Sequence, residues 1–437
     1  MKKIILLVAA LIAFVGCGVQ KRESPLSNGQ MVKSVIASYP ELKGATVGIS
    51  VRILSGWECG FNSDKRMIPA SNLKLITTGA ALHKLGPDYT FKTKLGYTGS
   101  IRNGVLYGDL YIIGGGDPTI GASDSAVLSP ESVFFKWYSI LKKAGITNIE
   151  GRVIGDGTAW EGPLESHDWA VGDLSMYYAA GSSALSFNKN AIDVDGIRDN
   201  MLSNKKGELS CARAFRNYLV GKGFEAGGPV DYVGPNGILV SSGEPAQTPI
   251  ILGTVESPTL GSIVRETLLE SDNFYAEALF RAMAEEATGN ADYATAATVL
   301  NDVLKELGLD PSDAQIVDGS GLARRNSVSP AFLTQFLCAM ASNKDFVESI
   351  PHPGEGTRTL ALKDSPQAKH YRLKSGSMGG VLCYSGYYLY DDGEPYKTVS
   401  IMINGAIATK EELLPAMEAL LETSGKLLPG LFCLEVK

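Results

Sequence analysis

Ser71 and Lys74 stand three residues apart in "MIPASNLKLITTGAAL", residues 67 to 82, where a proline turn runs into an amphipathic pattern. Residues i and i+3 of a helix share a face, with Cβ atoms about 5–6 Å apart, so the hydroxyl and the amine can touch. A serine hydroxyl is a weak nucleophile until a base takes its proton, and a desolvated lysine can be that base. The spacing alone is not selective. Ser186 with Lys189 and Ser203 with Lys206 repeat it.

Two further groups separate the three cases. Ser271-Asp272-Asn273 lies in "LLESDNFYAEALF", between helical segments, and Lys374-Ser375-Gly376 opens a strand. No other Lys-[Ser/Thr]-Gly occurs in the chain. Ser-x-x-Lys, Ser-Asp-Asn and Lys-[Ser/Thr]-Gly in this order form the signature of serine β-lactamases and penicillin-binding proteins.

The elements that must carry these residues follow from periodicity. "ATVGISVRIL" and "ECGFN" read as paired strands, and the helix opening at Ser71 follows. Residues 93 to 249 change texture: short alternating segments, frequent glycine and an Asn103-Gly104 hairpin signal mark a mostly β insertion. Helical periodicity returns in "LGSIVRETLLESDNFYAEALFRAMAEEATG" and "ADYATAATVLNDVLKELGL". Strands in "YRLKSGSMGGVLCYSGYYLY" and "YKTVSIMING" then precede a closing helix that Thr409 caps. The order predicts an α+β core, one sheet with helices, interrupted by an inserted domain. Its two parts are residues 33–92 and 250–437.

The N-terminus reads as an export signal. Two lysines precede an apolar run, Ile4 to Val15, that is short for a membrane span. Gly16-Cys17 closes the run as a bacterial lipobox does, with Phe14 where leucine is usual. Residues 1–16 are therefore expected to be removed, Cys17 to carry lipid, and 17–32 to form a tether. Loss of Lys2 and Lys3 shifts the formal net charge from −7 to −9, a poor balance for nucleic acid. Cys59, Cys211, Cys338, Cys383 and Cys433 show no Cys-x-x-Cys pair, and His83, His167, His352 and His370 have no ligand spacing. No metal and no cofactor is called for. "GGGDP" at 114–118 lacks the Gly-Lys-[Ser/Thr] of a phosphate loop, and "DGSGLAR" at 318–324 reads as a structural turn.

Around the three anchors the chain resembles class C low-molecular-mass penicillin-binding proteins, the D-alanyl-D-alanine carboxypeptidase/endopeptidase family. "PASNLKLITTGAAL", "LYIIGGGDPTI", "YYAAGSSALSFNKN", "DGSGLARRNSVSP" and "LKSGSMGGVLCYSGY" carry the likeness, from about Ala45 to Gly405. The family usually has threonine where Ser375 stands. The resemblance implies a serine β-lactamase/transpeptidase-like core, an antiparallel sheet with helices on both sides, acting on peptidoglycan stem peptides and acylated by β-lactam antibiotics. Ser71 would be the nucleophile and Lys74 the acylation base. Ser271 would relay the proton to the leaving amine and Asn273 would orient Lys74 and the substrate. Lys374 and Ser375 would receive the terminal carboxylate, and the backbone N–H groups of Ser71 and Ser377 the oxyanion. It further places Asp156, in "GRVIGDGTAW", at the cleft edge near Met378, where the pair would hold the cationic end and aliphatic stem of a diaminopimelate side chain. The implied location is the bacterial periplasm, lipid-anchored to the outer membrane. A serine β-lactamase and a non-catalytic wall-binding lipoprotein are the competing readings. The first lacks the Glu-x-x-Leu-Asn segment of class A enzymes, and the intact catalytic set weighs against the second.

Overall fold

The computed structural model describes residues 27–427, apart from 128, 130, 194–200, 235–236 and 357. Residues 1–16, Cys17 and most of the expected tether lie outside the described residues.

The core begins with α1 (Asn28–Ser38), β1 (Thr46–Ile53), β2 (Glu58–Phe61) and α2 (Leu73–Leu85). Part of the expected tether is thus helical, with a Ser27–Gln30 capping box opening α1. The insertion holds β3 (Lys92–Tyr97), β4 (Ser100–Arg102), β5 (Val105–Tyr107), β6 (Leu110–Ile113), α3 (Ser132–Lys143), β7 (Asn148–Ile149) and β8 (Val153–Asp156). It continues with β9 (Ala191–Ile192), β10 (Leu202–Ser203), α4 (Gly207–Gly221), β11 (Glu225–Ala226), β12 (Val230–Val233) and β13 (Ile250–Glu256). The core resumes with α5 (Leu260–Leu269), α6 (Asn273–Thr288), α7 (Tyr293–Glu306), α8 (Pro330–Met340) and α9 (Lys344–Ser349). It closes with β14 (Tyr371–Met378), β15 (Val381–Leu389), β16 (Pro395–Asn404) and α10 (Lys410–Gly425).

The core sheet runs β14-β15-β16-β1-β2, antiparallel throughout. β15 is buried along its whole length because helices cover both faces. Cys383 and Tyr387 point into the cluster built on α2, α6 and α8, while Leu382 and Tyr384 point into the one built on α1 and α10. That alternation is the two-residue period of a strand.

α2 is buried from Leu73 through Leu82, so it is a central helix and not the half-exposed one its amphipathic pattern predicts. Its polar residues find partners inside. Thr78 donates back to the Lys74 carbonyl at 2.6 Å and Thr77 to the Gly319 carbonyl at 2.7 Å. Gly79 lies under Phe336, where a Cβ would come within 2.8 Å of the ring.

The insertion has a five-stranded sheet, β12-β8-β6-β3-β13, and a four-stranded one, β11-β7-β5-β4, packed with α3 and α4 around Phe134, Trp137 and Phe215. β13 pairs with β3, so the insertion reaches Glu256 and not the expected residue 249. The Asn103-Gly104 hairpin joins β4 to β5 with both residues at positive φ. Cys211, Cys338 and Cys383 are free thiols.

Candidate active site

Ser71 sits in a single 3-10 turn, Ala70–Asn72, that runs into α2. Ala70 takes φ +47°, a left-handed value that costs an alanine energy and persists where the surroundings over-determine it. They do here. A Cβ on Gly321 would fall 2.0 Å from the Ala70 carbonyl oxygen, and one on Gly376 would fall 2.9 Å from the Ser71 nitrogen. The fully buried Asn72 donates to Ser385 Oγ on β15 at 2.7 Å, tying the turn to the sheet.

Lys74 is fully buried one turn later. Its Nζ donates to Ser71 Oγ at 2.9 Å, Asn273 Oδ1 at 2.7 Å and the Ser320 carbonyl at 2.8 Å. Burial lowers its pKa from 10.5 to about 8, against the opposing pull of Glu277, Asp272 and Asp318. A usable fraction of neutral amine therefore exists near neutral pH, in contact with the hydroxyl it would deprotonate.

Asn273 is the first residue of α6, whose N-cap, Asp272, accepts from Tyr275 N at 2.9 Å. The Asn273 amide nitrogen donates to the Tyr178 carbonyl at 2.7 Å, so its oxygen faces Lys74. Ser271, at φ +58°, turns its hydroxyl to accept from Lys374 Nζ at 2.9 Å. Lys374, on the edge strand β14, is fully buried, and burial first, then Lys74, Arg358 and Lys410, hold its pKa well below the usual lysine range. Ser375 Oγ donates to the Arg358 carbonyl at 3.0 Å.

A cavity of about 940 Å³ opens over these groups. Ser71, Ser271, Asn273, Ser375, Ser377 and Met378 line it, and Arg358 and Lys410 add positive charge to its wall. The arrangement is a serine–lysine acyl-transfer site: a nucleophile touching a partly neutral base, a second serine on a second lysine, and cations for a carboxylate.

One family model matches residues 29–216 and 233–424, that of the D-Ala-D-Ala carboxypeptidase 3 (S13) family. The chain belongs to the S13 family. Among relatives of this S13 peptidase, a D-alanyl-D-alanine carboxypeptidase of an Actinomadura strain is 25% identical, over 85% of this chain and 80% of its own. The crystal structure of Haemophilus influenzae penicillin-binding protein 4 superposes with a TM-score of 0.75 at 21% identity, covering 91% of this chain and 99% of that one. The same protein complexed with a β-lactam gives 0.66 at 21% identity, with 90% and 98% covered.

The fold brings together Ser71, Lys74, Ser271, Asn273, Lys374, Ser375, Ser377 and Met378. It does not bring Asp156. That residue ends β8 between Ile113 and Val233, away from the lining of the cavity. Its carboxylate oxygen accepts from Thr158 N at 3.0 Å and Thr158 Oγ1 at 2.6 Å, closing the turn after the strand. The expected cleft-edge role is corrected accordingly: Asp156 is a turn residue. The rival Ser186 is buried and bonded to the Ser183 carbonyl at 3.2 Å, while its lysine, Lys189, joins Asp124 at 2.6 Å and Asp272 at 2.8 Å.

Several working residues escaped sequence reading. Lys189 bridges the insertion to the Asp272 cap, and Arg358 faces the cavity from a loop with no motif. Glu277 and Asp318 lie buried behind Lys74. The first follows Asn273 by one helical turn and the second opens the "DGSG" turn, a signal readable only once both are known to face a lysine.

Proposed function

We propose that this S13 peptidase cleaves the D-Ala–D-Ala bond of peptidoglycan stem peptides through an acyl-enzyme on Ser71. The contact between Lys74 Nζ and Ser71 Oγ at 2.9 Å carries this assignment. Neutral Lys74 takes the hydroxyl proton as Ser71 Oγ attacks the carbonyl between the two D-alanines. The oxyanion receives the backbone N–H groups of Ser71 and Ser377. Ser271 hands its hydroxyl proton to the leaving amine and takes one back from Lys374 Nζ, which donates to it, and the leaving group's carboxylate lies against Lys374, Ser375 and Arg358. Free D-alanine leaves in the carboxypeptidase reaction and a cross-linked stem in the endopeptidase one. Water then attacks the ester and regenerates Ser71.

A β-lactam presents the same carbonyl and carboxylate without a departing amine, which is consistent with the complex formed by the Haemophilus protein. Labelled penicillin should give a long-lived adduct on the peptide holding Ser71. Fast release would favour a β-lactamase, and no label a non-catalytic protein. The export signal further supports Cys17 as a lipidated first residue, with the enzyme held on the periplasmic face of the outer membrane. Cys17→Ser should leave the protein soluble or unprocessed. Native processing with an unchanged membrane fraction would refute the anchor.

A further inference from the structure

Glu277 is fully buried on α6, four residues after Asn273 and on the same face. Its Oε2 accepts from Gly319 N at 2.9 Å and its Oε1 from Ser320 N at 2.8 Å. From the other side, Thr77 on α2 donates to the Gly319 carbonyl at 2.7 Å. Asp318 pins the rest of the turn, accepting from Gly321 N and Asn326 Nδ2 with one oxygen and from Ala323 N and Trp169 Nε1 with the other. Held this way, the Ser320 carbonyl points at Lys74 Nζ, 2.8 Å away.

A lysine ammonium has three hydrogens, and here it has three acceptors. The neutral amine has two hydrogens and one lone pair. Two of its three partners, Asn273 Oδ1 and the Ser320 carbonyl, can only accept. Of the three, the Ser71 hydroxyl alone can donate. With the two pure acceptors filled, the lone pair is left facing Ser71.

We propose that Glu277 is a positioning residue for acylation: by fixing the Ser320 carbonyl, it orients the lone pair of neutral Lys74 onto the Ser71 hydroxyl. The inference rests on Ser71 and Lys74 as nucleophile and base. Without the carbonyl in place, the second N–H of the amine competes for Ser71 Oγ and the lone pair turns away. The charged groups around the pair act in the same setting. Asp272 and Asp318 favour the ammonium, Arg358 and Lys374 oppose it, and Tyr293 and Arg281 lie within the field of Glu277. Burial, then Asp318, pushes Glu277 itself up to about 8.

The test is Glu277→Gln in the full chain, with the rate of acylation by a labelled penicillin followed from about pH 5 to about pH 9. Glutamine offers one acceptor oxygen, so one of the two turn bonds is lost. Weaker carbonyl acceptance and one fewer acidic group both lower the pKa of Lys74. The acidic limb of the profile should move down by roughly half a unit or more, and the plateau should fall about tenfold or more. Non-covalent affinity should change less than about threefold. Misfolding alone would reduce the labelled fraction without moving the limb. A limb and plateau both left in place would overturn the proposal. Should Glu277→Gln fail to fold, Thr77→Val loosens the same turn from α2 and should slow acylation at least about threefold, an unchanged rate overturning the idea. Peptide mapping of the wild-type adduct separates the layers: a label away from Ser71 removes both readings, whereas a label on Ser71 with an unmoved profile removes only the role of Glu277.

Discussion

Lys74 shows what the site costs the fold. Its ammonium titrates near 8 when folded and near 10.5 when exposed. Below pH 8 both states hold the proton, and the folded protein carries the whole penalty of burying it. Between those values the unfolded chain binds more protons, so stability rises with pH through that window, and above it the penalty is gone. Lys74→Met should therefore be inactive yet more stable than wild type at pH 7, by about 1–3 kcal/mol after the loss of its hydrogen bonds. Urea unfolding at pH 7 and pH 10 measures this, and the advantage should shrink at the higher pH. An advantage independent of pH would locate the effect elsewhere. Asp156 makes the opposite case. With one carboxylate oxygen closing the turn on Thr158 and the residue outside the cavity lining, Asp156→Ala should leave kcat/KM for a diaminopimelate stem peptide and for a simple acyl-D-Ala-D-Ala within about threefold of wild type. A selective loss on the first substrate would restore it as a specificity residue.

Among the elements, the edge strand β14 and the turn before α2 decide reactivity together. Glycine at 376 lets the strand lie against the turn, since an added Cβ would meet Pro69 O at 2.7 Å, Asn72 N at 2.8 Å and Ser71 N at 2.9 Å. All three are backbone atoms that cannot swing aside. Gly376→Ala should push β14 off the turn and separate Lys374 and the Ser377 N–H from Ser71. The expected result is a fall of about tenfold or more in penicillin acylation, in a protein whose far-ultraviolet circular dichroism is unchanged. Retained acylation would mean that the strand and the turn move independently. Ser375 spends its hydroxyl on the Arg358 carbonyl. The strand thereby also positions the cation loop.

For the whole molecule, the insertion is part of the active site. Its Tyr178 carbonyl holds the Asn273 amide, its Lys189 and Asp124 brace Asp272, and its Trp169 donates to Asp318. Arg281 on α6 fastens it. The guanidinium is buried, donates to the Ser182 and Glu161 carbonyls of the insertion and to Ala291 of the core, and stacks over Trp160 and Tyr293. Arg281→Ala leaves three carbonyls without that donor and should destabilise the protein by about 3–5 kcal/mol, read as a lower urea midpoint. Penicillin acylation of the remaining folded protein should slow as well, because the insertion then holds Asn273 less firmly. A normal acylation rate in a destabilised variant would confine Arg281 to a purely structural role.

The motif residues were legible in the sequence because their chemistry is local. Ser71 and Lys74 are one helical turn apart, Ser271 and Asn273 flank a helix N-cap, and Lys374 through Met378 follow one strand. Strand alternation and the cap at Thr409 were legible for the same reason, as they depend on neighbours in the chain. The full burial of α2 was not, because Thr77 and Thr78 look polar until their partners, the Gly319 and Lys74 carbonyls, are known. Asp156 was misplaced because its position in a strand–turn segment says nothing about which cleft that segment faces. The roles of Glu277, Asp318, Lys189 and Arg358 were invisible for a related reason. A carboxyl or a cation acts on Lys74 or Lys374 through space, over a distance that falls with folding and not with sequence separation. The chain's order of residues determined which groups can react. Tertiary packing alone decided which charges surround them, and so the protonation state in which they meet.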